Sequence, residues 1–259
     1  MHPLQTIAVR AARAASDTIM RATENLDKVK ADVKGRNDFV TDVDQAAERR
    51  IIETIQKTHP DHAFLAEESG ESSNNSDVQW IIDPLDGTTN FLRGMPHFSV
   101  SIAAQVKGKL EVAVVYDPVR EELFTASRGS GAQLNGKRIR VSQARNLEQT
   151  LLATGFPFRS EKQFDEYMTL FGRLYPKCGD MRRAGSAALD LAYVAAGRFD
   201  GFWEFGLKWW DIAAGSLLVS EAGGMISDFK GNPSFRTSDS LLAANPKIFK
   251  AMLSHMRSK

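Results

Sequence analysis

Two styles of strand share this chain, and their order limits the folds it can take. Between Phe98 and Val141 short strands follow one another with only turns between them. Phe98–Ala103 alternates in polarity, Lys107-Gly108-Lys109 turns, and Val112–Tyr116 and Leu123–Ala126 follow. Asn135-Gly136 then marks a hairpin before Arg138–Val141. From Leu151 the style changes. Short apolar runs at Leu151–Gly155, Phe199–Trp203, Gly224–Ser227 and Leu241–Ala244 alternate with helical stretches such as Ala187–Ala196 and Ile212–Glu221. Strands first antiparallel and then interleaved with helices predict an α/β (α+β) fold of stacked layers. The change near residues 145–150 is the one internal boundary to consider, and residues 1–259 read as a single domain.

Two helices precede the strands. Leu4, Ile7, Ala8, Ala11, Ala15 and Ile19 recur at spacings of three and four, and so do Val43, Ala47, Ile51 and Ile55. The first stretch is also rich in Ala and Arg and poor in acids, as a mitochondrial transit peptide would be, but its apolar stripe favours a core-facing helix. Cys178 is the only cysteine, so no internal disulfide can form. Together these point to the cytoplasm. A formal net charge of +1 gives no global electrostatic case for nucleic acid or membrane. The polar segment Glu68–Asp77 is the best candidate for a mobile loop.

Chemistry concentrates at WIIDPLDGTTN, Trp80–Asn90. An acid at the end of a buried strand is expensive unless paired or bound to metal. Pro84 cannot donate to a ladder, so it is expected to end the strand and leave Asp83 at a sheet edge. Asp86 can face the same point across a turn, with the Leu85 carbonyl between them. Oxygen-only clusters suit Mg²⁺ or Mn²⁺. Gly87-Thr88-Thr89 reads as a first helical turn whose amides could receive an anion. The competing reading is a turn with Asp86 as an N-cap.

Other acids carry similar alternatives. Glu67 follows the apolar run Ala63–Leu65 and suits a ligand, whereas Glu68 reads as solvated loop. Asp211, before Ile212, fits a ligand or an N-cap. Asp44 fits a capping box with Thr41. His59, His62 and His97 are scattered and read as surface or packing residues.

WIIDPLDGTTNF, with LAEES upstream and WWDIAAG and EAGG downstream, resembles the inositol monophosphatase family of Mg²⁺-dependent, lithium-sensitive phosphatases. KGRNDFVTDVD, VAVVYDPVREELFTA, GAQLNGK, LATGFPF and GSAALDLAYVAAGRFDGF extend the likeness over nearly the whole chain, closest to the bacterial inositol-1-monophosphatases. The resemblance implies a layered αβαβα sandwich, a homodimer, and hydrolysis of myo-inositol 1-phosphate by a metal-activated water. It implies that Glu67, Asp83 and the Leu85 carbonyl hold one metal, and that Asp83, Asp86 and Asp211 hold a second. Glu67, with Asp44 nearby, would help a weaker third. Thr88 and Glu67 would position and deprotonate the water, and the Gly87 and Thr88 amides would hold the phosphate. Glu204 would accept from an inositol hydroxyl beside Gly185, Ser186 and Ala187, with Lys34 in the active site.

One departure concerns the substrate end. Animal members carry a substrate-touching serine in the segment that here reads Gly155-Phe-Pro-Phe-Arg159. Fructose bisphosphatase and bisphosphate nucleotidase activities share the metal motif, and a second phosphate would need basic residues such as Arg159, Lys162, Arg182 or Arg183. The bacterial likeness also implies a moonlighting role with the transcription machinery in ribosomal RNA antitermination.

Overall fold

The computed structural model of the chain describes residues 2–35, 38–157 and 163–257. The first apolar stripe becomes helix α1 (Pro3–Thr23), opened by Pro3 and by the His2 ring, which accepts from the Leu4 N–H at 3.2 Å. Helix α2 (Asp42–Gln56) carries the second. Both stripes are buried, and the alanines at 8, 11, 12, 15 and 47 let the two helices pack closely. Ile51 and Ile55 are fully buried, so truncating either to alanine is expected to cost ~2–5 kcal/mol. Between the helices β1 (Ala31–Gly35) and β2 (Asp38–Thr41) form a separate antiparallel ribbon.

The pair α1 and α2 covers one face of an eight-stranded sheet. Its strands are β3 (Ala63–Ala66), β4 (Gly70–Glu71), β5 (Val78–Asp86), β6 (Ser99–Val106), β7 (Lys109–Asp117), β8 (Glu122–Ser127), β9 (Gly131–Leu134) and β10 (Lys137–Arg138). The order is β10-β9-β8-β7-β6-β5-β3-β4, with β3 and β5 parallel and the other neighbours antiparallel. Both hairpin signals hold, for Lys107-Gly108 and Asn135-Gly136 each place two consecutive residues at positive φ.

The second half builds a five-stranded sheet, β12-β11-β13-β15-β14. It comprises β11 (Leu151–Thr154), β12 (Asp180–Arg182), β13 (Gly201–Phe205), β14 (Met225–Ser227) and β15 (Ser240–Ala244). Helices α5 (Ala187–Ala195) and α6 (Trp209–Glu221) lie between the two sheets. They are apolar almost all round, as helices with sheets on both sides must be. A Cβ on Gly215 of α6 would come within 2.5 Å of Leu191 on α5, so glycine sets their close crossing. Helices α4 (Phe164–Leu174) and α7 (Pro246–Arg257) close the far face of the small sheet. The five layers run α, β, α, β, α. A short helix, α3 (Thr88–Leu92), follows β5.

Three expectations need correction. Pro84 does not end its strand: β5 continues to Asp86, inside the sheet between β6 and β3. The polar segment after Glu68 contains β4, paired back onto β3. The run Arg138–Val141 is strand only at Arg138, because Val141 leaves to donate to the Ala222 carbonyl at the end of α6.

Candidate active site

Backbone register brings the first two acids together. Parallel pairing sets Ala66 opposite Ile82, and the next N–H, that of Glu67, donates to the Ile82 carbonyl at 3.1 Å. Glu67 is thereby placed beside Asp83. Farther along, Asp83 pairs with Ser101 but Asp86 pairs with Ser99, so β5 holds one extra residue. Pro84, which has no N–H to offer, sits in this bulge. The Leu85 N–H turns inward to the Asp83 carboxylate at 3.0 Å, and the Leu85 carbonyl accepts the Thr88 hydroxyl at 3.1 Å. The bulge re-aims both acids without breaking the sheet.

Gly87 makes the turn into α3 at φ 101. A Cβ there would lie 3.1–3.3 Å from the His97 and Gly185 carbonyls and the Phe98 Cα, so this position requires glycine. Thr88 opens the helix and its hydroxyl also reaches the Asp44 carboxylate at 3.0 Å. Asp44 completes the capping box with Thr41 as well, so the capping reading holds and a tertiary contact is added to it. Burial pushes Asp44 up to about 6, against hydrogen bonds from Thr41 and Thr88 that hold it down.

The small-sheet half contributes the opposite wall. Asp86 is not the N-cap of its own helix. Its carboxylate accepts from the Ser186 hydroxyl at 2.6 Å and the Ala188 N–H at 2.7 Å, at the start of α5. Helix α6 begins at Trp209, earlier than expected, so Asp211 lies within its first turn rather than before it and accepts from the Lys208 N–H at 2.7 Å. Glu204 is buried on β13, and its carboxyl carbon lies 2.0 Å from where a Gly155 Cβ would stand.

These surfaces enclose a cleft of about 400 Å³. Glu67, Asp83, Leu85, Asp86, Gly87, Thr88, Gly185, Ser186, Ala187, Glu204 and Asp211 line it together. Asp44 stands one hydrogen bond behind Thr88. Lys34 belongs to β1 by its backbone, but its side chain lies outside the described structure, as do Arg159 and Lys162. Arg182 is an exposed partner of Asp180, whereas Arg183 lines the cleft with its guanidinium 5.3 Å above the Phe156 ring. The histidines pack as expected: His62 accepts from the Trp80 indole at 3.0 Å and stacks on His59.

Charge is the tension in this site. Asp83 is 2% exposed, and burial first, then Glu67, Asp86 and Asp211, push its carboxyl well above the ordinary range. Asp86 is raised to about 6, mainly by burial, with the Ser186 and Ala188 donors opposing. Four acids that repel one another around a hard-oxygen pocket fit a divalent cation better than any other counterion. Among the described residues, no three of them form a finished ligand cage, and Asp83, Asp86 and Asp211 each accept from a backbone N–H instead.

Two acids escaped the sequence reading. Asp190 lines the cleft from α5, is 1% exposed, and has one carboxylate oxygen with no partner among the described residues. Burial, then Glu204 and Asp86, raise it well above its usual value. An isolated acid in the apolar run AALDLAYVA was the available signal. Glu48, buried one turn beyond Asp44 on α2, was the other.

The geometry agrees with what the chain resembles in known proteins. "Nus factor SuhB" of Salmonella typhimurium is 58% identical over 260 residues, covering 100% of this chain and 97% of that protein. The crystal structure of extragenic suppressor protein suhB from Bartonella henselae superposes with a TM-score of 0.96 at 41% identity, covering 99% of each chain. Inositol monophosphatase from Anabaena gives a TM-score of 0.84 at 36% identity, covering 98% of this chain and 94% of the other. Among the described residues no helix is long and apolar enough to cross a membrane. The model of the inositol monophosphatase family matches residues 1–259, and with the fold shared as well, the chain belongs to that family and is a phosphatase.

Proposed function

We propose that the protein is a Mg²⁺-dependent phosphomonoesterase acting on myo-inositol 1-phosphate and related polyol monophosphates. The observation that carries this reading is the convergence of Glu67, Asp83 and Asp86, from the large sheet, and Asp211, from α6, on one cleft that also holds Glu204. Glu67, Asp83 and the Leu85 carbonyl would hold one ion and Asp83, Asp86 and Asp211 a second, with Asp44 and Glu67 near a weaker third; Mn²⁺ has the same oxygen preference. Such ions supply a water of lowered pKa and neutralise charge on the phosphate and the departing oxygen.

The chain's own groups do the rest. Thr88, anchored by Asp44 and the Leu85 carbonyl, fixes the attacking water, and Glu67 takes its proton. The Gly87 and Thr88 amides face the phosphate where Gly87 has no side chain. The water oxygen joins phosphorus, the bond to the polyol oxygen breaks, that oxygen takes a proton from solvent water, and Glu204 with Gly185, Ser186 and Ala187 holds the polyol in line. Among the described residues, the buried charged groups at the sugar end, Glu204 and Asp190, are acids, whereas Arg93 and Arg183 are exposed on the rim. That arrangement favours hydroxyls over a second phosphate, and hence a monophosphate over fructose bisphosphate or a bisphosphate nucleotide. Phosphate release from inositol 1-phosphate, glycerol 2-phosphate, fructose bisphosphate and phosphoadenosine phosphate tests it, with EDTA abolishing turnover and Mg²⁺ restoring it. Full turnover after exhaustive chelation, or indifference to tens of millimolar lithium, counts against it.

The name of the 58% identical relative supports a second reading, in which a cytoplasmic homodimer also binds the transcription machinery. Asp86→Asn should then keep dimerisation and pull-down of transcription factors, while an Arg182/Arg183 double alanine variant weakens one of them and leaves the metal chemistry intact. Loss of the partner in Asp86→Asn would join the two roles.

A further inference from the structure

The turn that carries Glu67 is gripped from behind. Glu67, Glu68 and Ser69 join β3 to β4, with Ala66 paired to Gly70 and Gly70 at φ 75. Three-residue hairpin loops with glycine in that conformation are tight. The amides of Glu68 and Ser69 both donate to Glu48, one to each carboxylate oxygen, at 2.9 Å. Glu48 is 3% exposed, so the two bonds are shielded from water. On its other side the loop is tied to β5 by the bond from the Glu67 N–H to the Ile82 carbonyl.

Glu48 is four residues beyond Asp44, on the same face of α2. Asp44 takes the Thr88 hydroxyl. One helical turn of α2 therefore reaches both members of the pair assigned above to handling water, directly to Thr88 and through two amides to Glu67.

We propose that Glu48 is a positioning residue that sets the Glu67 carboxylate relative to Thr88, with α2 as the fixed spacer between them. The proposal rests on the reading of Glu67 and Thr88 given above. A carboxylate is needed because a glutamine offers one acceptor and one donor, and the donor would oppose an N–H. The molecule contains a control with the same bonding pattern in a more exposed setting. Glu221, at the end of α6, accepts from the Gly129 and Gly131 amides at 2.8 Å each, in a turn that does not line the cleft.

Glu48→Gln and Glu221→Gln, each in the full chain, are compared by kcat and KM on inositol 1-phosphate. Melting temperature is read without metal, together with the Mg²⁺ concentration that gives half of the Mg²⁺-induced rise in melting temperature. Glu48→Gln should lower kcat by about tenfold or more, as displacement of a reacting group by a fraction of an ångström does, with KM within roughly twofold. Its Mg²⁺ midpoint should rise several-fold. Glu221→Gln should lower the melting temperature, by less because its bonds are more exposed, with kcat and midpoint unchanged. Equal effects of the two variants on kcat and midpoint would overturn the proposal. If Glu48→Gln does not fold, Glu48→Asp, which keeps the charge but draws the turn back, is read by the same measures. If wild type releases phosphate from no substrate, the phosphatase reading fails, and unequal Mg²⁺ midpoints still uphold Glu48 while equal ones reject it.

Discussion

The Ala188 N–H donates to the Asp86 carboxylate at 2.7 Å, although the two residues are 102 positions apart. The bond ties the end of β5 to the first turn of α5, where a negative charge is favoured by the helix dipole. With the Ser186 hydroxyl it holds the two walls of the cleft together. An acid that spans the walls in this way answers to two demands, spacing and charge.

Asp86→Asn separates them. Ser186 and Ala188 donate to the same oxygen, which the amide keeps while the charge is removed. At least ~10³ of the rate should be lost, about 4 kcal/mol of transition-state stabilisation. The metal-free melting temperature should fall little, since relief of repulsion with Asp83 and Glu67 offsets the weakening of those two bonds. Phosphate release and melting in EDTA check this; a rate within tenfold of wild type would remove Asp86 from the ligand set.

Thr88→Ala deletes the hydroxyl shared between Asp44 and the Leu85 carbonyl. Turnover should fall with KM for inositol 1-phosphate nearly unchanged, and Thr88→Ser should recover much of it. A change confined to KM would mean that Thr88 contacts the substrate instead of the water.

The acids also set a pH dependence. Asp44 and Asp86 titrate near 6 and Asp83 well above 3.8, the value all three take when unfolded. Between about pH 4 and somewhat above 6 these acids, with Asp190 raised likewise, hold more protons folded than unfolded, so the stability they contribute falls as pH rises through that window. His62 and His97, lowered by burial, act in the opposite sense but are fewer. In EDTA the melting temperature should therefore drop from pH 5 to pH 7.5. Mg²⁺ favours the ionised acids, so its stabilisation should be larger at pH 7.5 than at pH 5. Calorimetry at the two pH values, with EDTA or Mg²⁺, gives the comparison; a metal-free protein that melts higher at pH 7.5 contradicts it.

Gly155→Ala would drive a methyl into the Glu204 carboxylate. The acid must move, and discrimination built on a substrate hydroxyl should go with it. KM for inositol 1-phosphate should rise at least about tenfold while glycerol 2-phosphate, which reaches less of that wall, changes little. Glu204→Gln should show the same selectivity. Equal losses on both substrates would place Glu204 in the catalytic core or in folding.

Local signals were the readable ones. The stripes of α1 and α2, the glycine-bearing hairpins and the Thr41–Asp44 box each depend on residues a few positions apart, and each took the form its spacing predicts. The acids near WIIDPLDGTTN were legible as chemistry, but their meeting was not. Glu67 reaches Asp83 through a parallel pairing, and Asp86 reaches Ser186 at the start of α5, 100 residues on, which no local period encodes. Pro84 misled because a proline in a bulge and a proline ending a strand look alike in sequence. Asp211 misled because Trp209 and Trp210 carry no helix-start signal. Glu48 was hidden in an ordinary charged helix, since its value lies in two amides about twenty residues away.

The division of the cleft between two sheets also has a consequence for synthesis. Asp83 and Asp86 leave the ribosome about a hundred residues before the amides and hydroxyl of α5 that receive Asp86, and longer still before Asp211. At 5–20 residues per second that interval lasts several seconds or more. A nascent large sheet must therefore carry unshielded acids at its rim until the second half docks, and a ribosome stalled before Gly185 would display an anionic edge that the finished protein conceals.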